Sequence, residues 1–163
     1  MSISGLILTR FPGSELETVR KTLDQIGPDS DEGEYLADIS YDPSPAFDDL
    51  WDHFFWIFKA LARIDPQFSC LPRVFEGTFE QHGDGAYGPF GLLTPAHVAQ
   101  VDMALDAIEP RHWARVREFG VTDSDCCLRN PSQLPDGLPE FANFARDWKV
   151  LANNGDGIWT SWF

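Results

Sequence analysis

From Ala46 to Ala62 the chain reads Ala-Phe-Asp-Asp-Leu-Trp-Asp-His-Phe-Phe-Trp-Ile-Phe-Lys-Ala-Leu-Ala, and this stretch restricts the fold most strongly. Phe47, Leu50, Trp51, Phe54, Phe58 and Leu61 recur three or four apart and make one helical stripe, which Phe55 and Ile57 widen. An apolar face this broad must be covered from more than one side, so the other elements are expected to pack around this helix. Asp65-Pro66 ends it, because proline lacks a backbone donor and clashes with the preceding turn. With 13 Phe, 6 Trp and 3 Tyr among 163 residues, large flat rings must dominate the core. That length suits about one domain.

The flanking elements follow from shorter patterns. Residues 2–9 combine Ile3, Leu6, Ile7 and Leu8 in a short run that suits a strand. Phe11-Pro12-Gly13 is turn chemistry. Ser14 with Glu17 has the spacing of a capping box, and Leu16, Val19, Leu23 and Ile26 mark a helix that Gly27-Pro28 stops. Between residues 68 and 79, Val74, Phe75, Thr78 and Phe79 predict a short strand or irregular edge. Gly83, Gly85, Gly88, Pro89 and Gly91 crowd nine residues and predict a shaped loop. Thr94 as N-cap and Pro95 at the first helical position then open a helix with Val98, Val101, Leu105 and Ile108 on one face. Glu109-Pro110 breaks that helix, and the next carries Trp113, Val116 and Phe119 before a stop at Gly120. A long loop is expected over 121–139, then a helix over 139–152 with Phe141, Phe144, Trp148 and Leu151 buried. The turn at 153–157 leads into a closing strand at 158–163, expected inside a sheet because a terminal Trp-Phe pair would otherwise face water. The fold class is α+β: several helices around an aromatic core, with a small sheet holding the first and last strands.

Charge is strongly one-sided. The net charge is −14, and the first 84 residues hold 16 acids against 6 bases. Such a field repels nucleic acid and anionic lipid and attracts basic partners. Nine acids and no Lys or Arg lie between Asp29 and Asp52, with Pro43 and Pro45 holding the middle extended. The segment reads either as a solvated face or as a docking surface. A calcium loop is excluded by spacing, since Gly33 falls one position early and no glutamate occupies the twelfth place. Arg111, Arg115 and Arg117 are the one basic cluster, available to pair with the acidic segment. The apolar start lacks a cationic lead and is broken by Gly5, and no run reaches the roughly 18 apolar residues of a membrane span, so a cytoplasmic protein is expected. Cys70, Cys126 and Cys127 are an odd set that suits reduced thiols. Without a second cysteine pair or nearby histidines, the adjacent pair does not spell a zinc site.

The early strand, the Leu-Trp-Asp-His-Phe segment at 50–54, Tyr87-Gly88-Pro89 leading into Leu93-Thr94-Pro95, and the aromatic final helix before a short strand together resemble the YfbM-like family of small bacterial proteins. The resemblance extends over most of the chain and implies a single α+β domain of bacterial origin. It carries over no catalytic residues, and the stretch 29–45 lies outside it as an embellishment of this chain.

Two functional expectations result. In the first, a non-catalytic protein binds a basic partner, in the manner of an immunity protein that plugs a cationic toxin. Asp29, Asp31, Glu32, Glu34, Asp38, Asp42, Asp48, Asp49 and Asp52 attract, and Tyr35, Tyr41 and Phe47 anchor. In the second, a small enzyme or ligand-binding domain uses the Gly83–Thr94 loop: His82, Asp84 and His97 are the acid-base candidates, and Tyr87, Gly88 and Thr94 shape the ligand loop. No nucleophile elbow, phosphate loop or metal spacing is present, so neither a cofactor nor a metal is expected. His53, beside Asp49 and Asp52 and off the apolar stripe, reads as a surface histidine.

Overall fold

In the computed structural model, which describes residues 5–41 and 51–163, the first strand runs Leu6–Phe11 (β1). Leu6 and Leu8 are buried on one face, Thr9 and Phe11 on the other. It pairs antiparallel with the closing strand Gly157–Trp162 (β4), from Leu6 opposite Trp162 to Phe11 opposite Gly157. β4 is also flanked by Gly88–Leu93 (β3), which in turn pairs with Glu80–Gly85 (β2), so the antiparallel order is β1-β4-β3-β2. The last strand is therefore internal, as its Trp-rich sequence requires.

The sheet separates two apolar clusters. Phe11, Phe90, Leu92 and Trp159 meet Val19 and Leu23 of helix α1 (Leu16–Asp24), together with Ile26 and Ile39. On the opposite face, Leu8, Leu93 and Ile158 join the larger core with α3 (Trp51–Ile64), α4 (Leu71–Glu76), α5 (Pro95–Asp106), α6 (Pro110–Thr122) and α7 (Pro139–Asn153). Between α1 and α3 lies a short helix, α2 (Glu32–Leu36). Helix α3 is the centre of the larger core: Phe54 packs on Phe141 and Phe144 with ring centroids 5.8 and 5.2 Å away, and Phe58 packs on Phe75 at 5.4 Å. Trp56 is buried too, although it lies off the expected stripe, because its indole donates to the Asp123 carboxylate at 3.0 Å. Phe47 and Leu50 lie outside the described residues.

Several local expectations are corrected. Leu71–Glu76 is helical rather than extended: Pro72 sits in its first turn, Leu71, Val74 and Phe75 are buried at helical spacing, and Gly77 closes it in the left-handed conformation at φ 64°. The glycine-rich stretch is a hairpin, not a loop. Gly83, at φ 64°, lies within a bulge between His82 and Gly85 and lets β2 approach the end of α1, where a Cβ would strike the Leu23 carbonyl. Gly91 has no side chain because the Thr160 hydroxyl and Gly77 occupy that space. No capping box forms at Ser14, because a 3₁₀ turn over Gly13–Glu15 places it inside the helix entry and sends Glu17 to Arg20. Part of the acidic segment is helical, with the Asp31 side chain accepting the Gly33 N–H at 3.1 Å. Gly120 does not stop α6 but passes beneath Pro131, and the helix continues to Thr122.

Candidate functional site

The hairpin is clamped to α1 by charge. Arg20 holds both oxygens of Glu80, at 2.7 and 3.1 Å, and also Glu17 at 2.6 Å. His82 lies between Asp24, 2.8 Å from Nδ1, and Glu80, 3.0 Å from Nε2. The bond from Arg20, aided by His82, overcomes burial and lowers the Glu80 carboxyl to about 2. Burial opposes charge on His82, but Glu80 and Asp24 outweigh it and raise its pKa, because the protonated ring can donate to a carboxylate from each nitrogen. A histidine held this way has a carboxylate at each ring nitrogen and no free nitrogen for base chemistry. His97 is committed elsewhere: its Nδ1 accepts the Thr94 N–H at 3.1 Å, the Thr94 hydroxyl accepts the His97 N–H at 3.3 Å, and burial lowers its pKa. Asp84 is exposed and its backbone N–H donates to the Ile26 carbonyl at 2.9 Å. Tyr87 is exposed beside Gly88 at the hairpin tip, with Gly88 at φ 114°. None of these residues lines the three cavities described below.

The acidic segment folds back over the second core. Glu32 accepts the Ala86 N–H of the hairpin turn, and the Trp159 indole donates to the Ile39 carbonyl at 3.0 Å. Tyr35 and Tyr41 are half-buried against this cluster, and burial followed by the charge of Glu15 raises the Tyr41 pKa. Asp29, Asp31, Glu34 and Asp38 are exposed, and none pairs with a Lys or Arg among the described residues. The arginines expected to answer them are engaged locally: Arg111 with Glu109, Arg115 with Glu118, and Arg117 with the Leu134 carbonyl. Asp42, Asp48 and Asp49 lie outside the described residues, and Asp52 belongs to a different group.

That group is a corner between the start of α3 and the loop after α6. The Cys127 thiol donates to the Asp52 carbonyl at 3.6 Å, and His53 Nε2 is 3.9 Å from Asp52 Oδ1. Ligand-type atoms of Asp52, His53 and Cys127 all lie within 4.8 Å of one another. The loop is held by Asp123, whose carboxylate accepts from both the Trp56 indole and the Asp125 N–H. Beside the corner is a cavity of about 360 Å³ lined by His53, Cys127, Leu128, Arg129, Asn130, Leu134, Gly137 and Leu138. Burial first, then Asp52, pushes the Cys127 thiol up to about 11, the wrong direction for a free nucleophile. Sequence spacing gave no sign of this meeting: the absence of histidine near Cys127 in sequence is corrected by His53 arriving from α3. Two more open cavities, of about 510 and 710 Å³, lie beside Trp113 and Phe141 and between Cys70 and Met103.

No helix among the described residues is long and apolar enough to cross a membrane. No family model, curated protein or solved structure matches the chain, so its candidate sites stand on their own geometry.

Proposed function

We propose that the chain is a non-catalytic binding protein whose acidic segment docks a basic protein, with a cationic toxin or effector as the form of partner its charge suits best. The observation that carries this reading is that Asp29, Asp31, Glu34 and Asp38 are exposed with no Lys or Arg partner among the described residues, while the arginines the sequence offered them are engaged with local partners. Carboxylates left without cations repel one another and gain when a cationic surface covers them. Tyr35 and Tyr41 are half-buried against the smaller apolar cluster rather than free anchors. Long-range attraction from a net charge of −14 would accelerate the encounter. The second expectation, chemistry at the hairpin, gains no support from His82, whose two ring nitrogens both face carboxylates, or from His97, whose Nδ1 is taken up in capping α5.

The test is affinity capture from the native cell with the wild-type chain and with a variant carrying Asp29→Asn, Asp31→Asn, Glu34→Gln and Asp38→Asn. The proposal expects a basic protein retained by the wild type, released by moderate salt, and lost with the variant. If the partner is toxic, co-expression of the wild type should relieve the toxicity. Equal retention by both proteins would overturn the assignment to this segment.

A further inference from the structure

The corner at Asp52, His53 and Cys127 joins three donor types. Cysteine sulfur is soft, imidazole nitrogen is borderline and carboxylate oxygen is hard, a mixture that suits zinc-like divalent ions better than calcium or magnesium. The three ligand atoms are within 4.8 Å of one another. Around a tetrahedral zinc, ligand atoms are separated by about 3.3–3.8 Å, given bonds of roughly 2.0–2.3 Å. Closing the gap takes about 1 Å, within the reach of side-chain rotation on an exposed thiol and carboxylate.

Three further observations point to a ligand. His53 Nδ1 is shielded from solvent and has no hydrogen-bond partner among the described residues, a costly condition for a buried ring nitrogen. The two adjacent cysteines have separated roles: Cys126 packs against the larger core, and Cys127 turns to His53. Finally, His53 and Cys127 both line the cavity of about 360 Å³, with Arg129 in its wall.

We infer that Asp52, His53 and Cys127 form a binding site for a zinc-type divalent metal, with a fourth coordination position open to the cavity. Three protein ligands and an open position are the arrangement of exchangeable and catalytic metal sites rather than of closed structural ones. Arg129 suits a water-sized or small anionic fourth ligand. Metal entry displaces the Cys127 proton to solvent and forms a metal–thiolate bond, with no change of oxidation state. The site is independent of the proposed acidic docking surface.

The measurement is titration of the reduced full-length chain with Co²⁺, a spectroscopic substitute for zinc. The expected result is one ion per chain with intense visible d–d bands and a near-ultraviolet thiolate-to-cobalt charge-transfer band, both removed by added Zn²⁺. Cys127→Ser should abolish the charge-transfer band. His53→Gln and Asp52→Asn should each weaken binding by more than the roughly 10–100-fold typical of lost supporting contacts. Cys126→Ser should retain the native spectrum, and circular dichroism of every variant establishes that it is folded. Absence of a thiolate band in the wild type, its loss in folded Cys126→Ser rather than Cys127→Ser, or unchanged affinity in folded His53→Gln would each overturn the site.

Discussion

At the scale of single residues, His82 carries the clearest pH signature. Its raised folded pKa means that the native state binds the proton more tightly than the unfolded chain, whose histidine titrates near 6.5. The stabilisation is therefore complete below about pH 6.5 and is lost as pH rises through the folded value. Glu80 has the opposite sign: lowered to about 2 from an ordinary 4.5, it stabilises above 4.5 and loses that contribution as pH falls toward 2. A window near pH 6 thus keeps both groups charged. His82→Gln should lower the melting temperature most at about pH 6, with the deficit shrinking at about pH 9, as read by thermal unfolding of both proteins. A deficit independent of pH would mean that His82 only fills space. His97 provides the contrast: its Nδ1 caps α5 in the neutral form, so acid loosens the helix start instead of strengthening it.

At the scale of elements, the sequence was readable wherever one segment determined its own state. Thr94-Pro95 and the stripe from Val98 to Leu105 lead directly to α5, and Phe141, Phe144, Trp148 and Leu151 to α7. It misled where a neighbour decided. Val74 and Phe75 have strand-like chemistry, but Pro72 and Gly77 bracket a helix against Phe55 and Phe58. The hairpin glycines looked like loop residues because the reasons for them, the Leu23 carbonyl and the Thr160 hydroxyl, come from distant parts of the chain. The metal-type corner was hidden for the same cause, since only folding sets the loop after α6 against α3. Asp123 ties that loop to α3: the Asp125 N–H first, then the Trp56 indole, hold its carboxylate below its usual pKa. Trp56→Phe keeps an aromatic ring in the core but removes the indole bond that ties Asp123 to α3, leaving the Asp125 N–H within the loop. Amide hydrogen exchange should therefore accelerate over residues 123–128 while α5 and α7 stay protected. Unchanged exchange in that loop would show that packing alone positions it.

For the whole molecule, the decisive connection lies between regions most distant in sequence. β1 has one strand neighbour, β4, and the pairing continues past the strand ends as Gly5 and Phe163 exchange bonds of 3.0 and 3.1 Å. β4 also joins β1 to the β2–β3 hairpin, and its residues supply both cores: Ile158 to the larger, Trp159 to the smaller. Such long-range pairing has to overcome the closure entropy of nearly the entire chain, which makes folding late and cooperative rather than stepwise. The charge of −14 adds self-repulsion that only a completed core offsets. Deleting residues 157–163 leaves β1 without a partner, exposes Phe11 and Leu92, and removes the indole that holds the Ile39 carbonyl. The loss of Trp159 alone would cost about 3–5 kcal/mol, a large share of the 5–15 kcal/mol that holds a typical domain together. The truncated chain should therefore show no cooperative transition in urea and should bind a hydrophobic dye, whereas removal of Phe163 alone should leave a cooperative transition at slightly lower denaturant. A sharp, near-native transition in the longer truncation would mean that the helical core holds itself together without the sheet.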